Sequence, residues 1–150
     1  MTDAPHDPSV FRFPLRVYYE DTDAAGIVYH ANHVKFAERA RTELLRALGY
    51  DHKGVRDDFG LTLIVKAITI DYKAVAKLDD LLEVRTNLIK FGNSSFTLAQ
   101  NIWRSEVMLA SLDVVLVAVN AEGRPERLPP KLRELFTTGT APEPVLPTLS

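Results

Sequence analysis

The chain contains no cysteine, two methionines and one tryptophan among its 150 residues. Without cysteine there is no disulfide framework, no thiolate zinc site and no cysteine nucleophile. Neither charge is in excess. Eighteen Lys+Arg against 20 Asp+Glu leave a formal net charge of −2, so the concentrated basic surface of a nucleic-acid binder is not expected. The longest apolar run, Val114 to Val119, is far too short to cross a bilayer. The opening residues, Met1 to Pro8, are acidic and proline-containing, unlike the basic and apolar start of a secretory signal. Together these features suit a cytoplasmic protein. Also missing are G-x-S-x-G, G-x-G-x-x-G, a Walker loop, H-E-x-x-H and C-x-x-C, which removes sequence support for serine hydrolase, dinucleotide, nucleotide and common zinc chemistry.

What is present is enough for one core. With 46% hydrophobic and 25% charged residues, the composition is that of an ordinary globular domain. Residues 1–10 are expected to form a disordered arm, 11–136 a single domain, and 137–150 a tail. Arg12 to Glu20 alternates, with Phe13, Leu15, Val17 and Tyr19 on one side, so it reads as a half-buried strand. Pro14 favours an edge or entry position. From Asn32 to Leu48 the period becomes helical. His33, Phe36, Ala37, Ala40, Leu44, Ala47 and Leu48 share a stripe, Asn32 is a candidate N-cap and Gly49 a candidate C′ residue. Glu38, Arg39, Arg41 and Glu43 read as a solvated face. Residues 50–60 read as a polar, mobile loop. Strands then follow over Leu61–Tyr72, Leu81–Phe91, Ser95–Arg104 and Val107–Val119, with tight turns at Gly92-Asn93-Ser94 and Ser105-Glu106 that imply an antiparallel meander. Pro129-Pro130 opens a short helix carrying Leu132, Leu135 and Phe136. One long helix against long strands predicts an α+β domain whose sheet curls around the helix.

The chemistry-bearing residues gather between the first strand and the helix. Asp21 and Asp23 lie past the strand end, and His30 and His33 stand at the helix start. A helix start offers unpaired N–H groups and partial positive charge, which stabilise developing negative charge. Aspartates also favour turns, so spacing alone leaves both readings open. Asp23 is the better catalytic candidate, being nearer the Ala24-Ala25-Gly26 turn and the apolar Ile27-Val28-Tyr29. His30 could orient a carboxylate or meet a substrate oxygen, or have no catalytic task. His33 sits mid-stripe and reads as a core or interface histidine. H-x-x-H could share a metal only with further ligands, and no metal is expected. Lys90, Ser94 and Ser95 around Gly92 could grip an anionic group, or be merely a hairpin turn.

The stretch Val17-Tyr18-Tyr19-Glu20-Asp21-Thr22-Asp23-Ala24-Ala25-Gly26-Ile27-Val28-Tyr29-His30-Ala31-Asn32, with Glu38-Arg39-Ala40-Arg41-Thr42-Glu43, resembles the signature of the 4-hydroxybenzoyl-CoA thioesterase family. Within that family it is most similar to the Tol-Pal-associated acyl-CoA thioesterase branch. Tyr72 to Asp80 resembles that branch's turn between its second and third strands, with Val75 where the branch usually has proline. Asn93 departs likewise from the usual Gly-Thr-Ser.

The resemblance implies a hotdog fold, a five-stranded antiparallel sheet wrapped around one central helix. It implies hydrolysis of the thioester of a short-chain or aromatic acyl-CoA, with no cofactor beyond the CoA of the substrate. Asp23 would be the nucleophile or general base, and the His30 N–H the oxyanion donor, with the His30 side chain helping to position the carbonyl or water. Tyr29, Val28 and Gly26 would border the acyl group. Lys90, Gly92, Ser94 and Ser95 would meet CoA across a subunit interface of a homodimer, often a dimer of dimers. An acyl-thioester dehydratase is a second enzymatic reading, against which the Asp23 motif weighs. A non-catalytic protein that binds acyl-CoA or acyl carrier protein, or an envelope-associated adaptor, is the alternative from another class.

Overall fold

The structure, a computed structural model, describes residues 9–137. The expected disordered arm and tail therefore lie outside the described residues, apart from Ser9, Val10 and Thr137. Five strands form one antiparallel sheet: β1 (Phe11–Arg16), β2 (Thr62–Tyr72), β3 (Leu81–Phe91), β4 (Ser95–Arg104) and β5 (Val107–Val119), in the order β1-β3-β4-β5-β2. Three α-helices accompany it: α1 (Asn32–Ala47), α2 (His52–Phe59) and α3 (Pro130–Thr137). This is the α+β architecture expected, with the long helix and the short C-terminal helix in place.

β3, β4 and β5 form the meander through their two tight turns. β2 does not join it beside β3; it crosses to the far edge and pairs with β5, while β1 takes the other edge beside β3. Register shifts at Val65/Ala67, Leu88/Lys90 and Ile102/Trp103 interrupt the ladders. Such irregularities bend strands and increase twist, which lets a five-stranded sheet curl. Phe36, Ala37, Ala40 and Leu44 of α1 are buried in one core with Phe96, Leu98, Ile102, Leu112 and Val114 of the sheet. Helix and sheet are also stitched together by a polar network. Gln100 of β4 is fully buried and donates to the Ala37 carbonyl and the Thr86 hydroxyl, each at 3.0 Å, and accepts from Arg41 Nη1 at 2.9 Å.

Several expectations change. β1 stops at Arg16, and Tyr19–Asp21 forms a single 3₁₀ turn. Val17 is buried as the alternation requires, but Tyr19 is 82% exposed. The cause is Asp21, whose carboxylate accepts from the Tyr18 N–H at 2.8 Å and turns the chain. Ala31, not Asn32, is the N-cap of α1; Gly49 follows the helix at φ 92°, the conformation that made glycine suit C′. The polar segment 50–60 is no loop. Asp51 Oδ1 accepts from the Gly54 N–H at 2.6 Å, Val55 is buried, and Gly60 closes α2 at φ 67°. Arg41 is half-buried rather than solvated because its partner Gln100 lies inside, and Glu43 is half-buried as well.

Candidate active site

The segment between β1 and α1 folds back on itself. An isolated bridge joins Thr22 to Val28, the Asp23 N–H donates to the Ile27 carbonyl at 2.9 Å, and Gly26 turns the chain at φ 77°. That left-handed backbone is open to glycine and costly for most other residues. The Val28 N–H donates to the Ala76 carbonyl at 2.8 Å, and a second bridge links Ile27 to Lys77, so the loop is pinned to the connection between β2 and β3. A tight fold of this kind holds a side chain at its tip in a defined place.

The two aspartates then part company. Asp21 is 3% exposed, and its carboxylate receives the Tyr18 N–H and, at 3.1 Å, the Asn32 side-chain amide. Its backbone carbonyl also accepts from the Tyr29 N–H. Both carboxylate oxygens are therefore committed, one to the turn that follows β1 and the other to Asn32 at the start of α1. Asp23 is exposed, and its Oδ1 accepts only from the Ala25 N–H at 2.8 Å among the described residues. Its second oxygen is free to act on a ligand.

At the mouth of α1, the Tyr29 carbonyl accepts from the Asn32 N–H at 2.8 Å, while the N–H groups of His30 and Ala31 have no hydrogen-bond partner among the described residues. These are the orphan donors that a helix start leaves for an anion or a developing oxyanion. The His30 and Tyr29 side chains are both exposed, with ring centroids 4.4 Å apart. His33 is buried, as its place in the stripe predicts. Its Nδ1 lies 3.1 Å from the His30 carbonyl and must be the protonated nitrogen there, while buried Nε2 has no partner. Burial lowers the His33 pKa against the opposing contacts with the His30 and Tyr29 backbone, which keeps the ring neutral.

Asp23, Gly26, Val28, Tyr29 and His30 are thus brought into one loop. Lys90, Gly92, Ser94 and Ser95 are not brought to it. Tyr72, whose hydroxyl reaches the His30 carbonyl, pairs with Ala110 at one end of β5, whereas the Ser94 carbonyl accepts from Ala118 near the other end. Eight residues of strand separate the two ends by roughly 26 Å. The Gly92 and Asn93 carbonyls are also occupied by Arg133 Nη2 of α3, at 2.6 and 3.1 Å. Within one chain this turn serves α3. Among the described residues no three His, Asp or Glu side chains gather in a metal-binding arrangement.

Two features were missed in the sequence. One is Tyr72, which tied to His30 only through the fold. The other is a cavity of about 350 Å³ along α1, walled by Leu63, Val65 and Ile68 of β2, by Phe96 and Leu98 of β4 and by Phe136 of α3, with Glu38 and Arg41 on its helix side. Its apolar half could have been anticipated from the β-branched run of β2; its polar half could not, since Arg41 turns inward only because Gln100 receives it.

Comparison with known proteins bears on the fold and the family. The profile of the thioesterase-like superfamily matches residues 17–136. Acyl-CoA thioesterase YbgC of Haemophilus influenzae is 40% identical over 127 residues, covering 84% of this chain and 93% of that protein. Acyl-CoA thioester hydrolase YbgC of Escherichia coli O6:H1 is 40% identical over 123 residues, covering 81% and 91%. Among solved structures, a probable thioesterase from Bartonella henselae aligns with a TM-score of 0.76 and 34% identity over 80% of this chain and 99% of that one. A 4-hydroxybenzoyl-CoA thioesterase mutant complexed with 4-hydroxybenzoyl-CoA aligns at TM-score 0.79 and 18% identity over 85% and 99%, a likeness of fold alone. A signature loop ahead of a long helix, a curled five-stranded sheet and this sequence kinship lead to one conclusion: the chain belongs to the thioesterase-like superfamily of hotdog proteins.

Proposed function

We propose that the protein is an acyl-CoA thioesterase in which Asp23 acts at the thioester and the His30 N–H stabilises the oxyanion. The observation that carries this reading is the pairing, on one pinned loop, of a carboxylate with one oxygen free and amides at the start of α1 that have no partner among the described residues. The kinship to proteins named acyl-CoA thioesterases supports the same substrate class. In the general-base form, Asp23 takes a proton from water, the oxygen attacks the carbonyl carbon, and the C–S bond breaks to release CoA thiolate, which is then protonated. In the nucleophilic form, Asp23 attacks the carbonyl carbon, the C–S bond breaks to release CoA thiolate, which is then protonated, and water opens the resulting mixed anhydride to free acid and the Asp23 carboxylate. Both forms place negative charge on the carbonyl oxygen, where an amide donor contributes about 2.7–4 kcal/mol to lowering the barrier. The His30 side chain helps to position the carbonyl or water, and Tyr29, Val28 and Gly26 border the acyl group. The acyl group is short-chain or aromatic, and the only cofactor-like part of the reaction is the CoA of the substrate.

The working unit is a homodimer or dimer of dimers. β2 is an edge strand with Ile64 and Val65 more than 40% exposed, a surface that pairing with a second copy would cover. Lys90, Gly92, Ser94 and Ser95 lie too far from Asp23 in their own chain, so their contact with CoA is assigned across subunits. The test is hydrolysis of a panel of short aliphatic, aromatic and longer acyl-CoAs by wild type and Asp23→Asn. The expected loss is at least about 10²-fold, the scale of one proton-transfer group. Activity within a few-fold of wild type in the variant would sink the assignment.

A further inference from the structure

The His30 carbonyl lies one residue before the Ala31 N-cap of α1, and among the described residues it receives no backbone amide. The Val34 N–H goes to the Ala31 carbonyl at 3.2 Å, and the Asn32 N–H goes to Tyr29. Instead, two side chains hold the His30 carbonyl. The Tyr72 hydroxyl, from the end of β2, donates to it at 2.6 Å, and His33 Nδ1 lies 3.1 Å from the same oxygen. The Tyr72 ring meets the His33 ring edge-on, with centroids 5.0 Å apart and planes at 88°, so each ring fixes the other. Tyr72 is about half exposed, and partial desolvation raises its pKa from the ordinary value.

A trans peptide is planar, with its C=O and N–H pointing in opposite directions. Fixing the His30 carbonyl therefore fixes the Ala31 N–H, the amide of the same peptide. The preceding peptide is fixed in the same way, since its Tyr29 carbonyl receives the Asn32 N–H. The two partnerless amides of the candidate site belong to these two held peptides. Donors to a carbonyl also polarise its peptide and strengthen the N–H at the other end.

We infer that Tyr72, with His33, is a positioning residue for the reaction: from the edge strand it locks the His30–Ala31 peptide so that Ala31 presents a second amide beside that of His30 to the substrate oxygen. This inference rests on the thioesterase reading and extends it. Neither residue touches the substrate; both act through the peptide they hold.

The test uses the full chain, as wild type, Tyr72→Phe, His33→Phe and the double variant, on one acyl-CoA that the wild type hydrolyses. Loss of orientation costs less than loss of a donor, so kcat is expected to fall about 10- to 100-fold in Tyr72→Phe. KM is expected to stay within about threefold, because the interaction matters in the transition state rather than in binding. The Ala31 amide resonance shifts in the ¹H–¹⁵N spectrum, and the double variant loses less than the product of the single losses, since both donors serve one carbonyl. Unchanged kcat in Tyr72→Phe, or a loss that follows the melting temperature instead of kcat, overturns the proposal. Should Tyr72→Phe not fold, His33→Phe and its Ala31 resonance carry the same test. Asp23→Asn run in parallel separates the two ideas. If it stays active, the thioesterase reading fails; if it is inactive while Tyr72→Phe is wild-type, only this inference fails.

Discussion

Asp21→Asn is an informative perturbation because two aspartates, two residues apart, are given opposite tasks by the fold. The Asp21 carboxylate receives the Tyr18 N–H on one oxygen and the Asn32 amide on the other, while only 3% exposed. An asparagine there keeps one acceptor and turns its NH₂ toward a group that is itself a donor. The change loses one charge-assisted bond and leaves buried donors facing each other, against some relief from burying a charge. With about 1.5–3 kcal/mol for the bond and about 1–3 for an unsatisfied group, the net loss is about 3 kcal/mol. For a chain of this size, that lowers the melting temperature by about 6–12 °C. Thermal unfolding followed by circular dichroism, at one protein concentration, measures it. Asp23→Asn is the control: its carboxylate is exposed and, among the described residues, accepts only from the Ala25 N–H, which an amide oxygen also can, so its melting temperature stays within about 1 °C while hydrolysis is lost. If Asp21→Asn melts with the wild type, or if the two variants exchange phenotypes, the division of labour is wrong.

Gln100→Leu strips the donor from the Ala37 carbonyl and Thr86 hydroxyl and the acceptor from half-buried Arg41, so it should cost about 2–4 kcal/mol, read as a lower denaturation midpoint in urea. His33 makes a pH prediction of fixed sign. Burial holds its folded pKa below the ordinary value of 6.5, so its contribution to stability is complete above pH 6.5 and is lost as pH falls through the folded value. His33→Phe should therefore flatten the decline in stability just below pH 6.5, before the carboxylates titrate, and a decline equal to that of wild type refutes the assignment.

Much of the fold was legible because its signals are local. Alternation over residues 81–91 and the stripe from His33 to Leu48 are properties of neighbouring residues, and each element formed where its period placed it. The segment 50–60 misled because its polarity outweighed its cap, Asp51, and its stop, Gly60, both of which were in plain sight. β1 ended early because Asp21, several residues on, took the Tyr18 amide.

The sequence alone determined that disulfide and thiolate chemistry are excluded, that one long amphipathic helix faces long strands, and that Asp23, Tyr29 and His30 travel together on one short loop. Short-range geometry and composition suffice for these. Tertiary structure alone decided which aspartate is buried, that β2 pairs with β5, that Arg41 turns inward to Gln100 from 59 positions away, and that Tyr72 holds the carbonyl of His30 across 42. Those contacts join residues whose sequence separation carries no periodic signal, and they exist only once the sheet has closed against the helix.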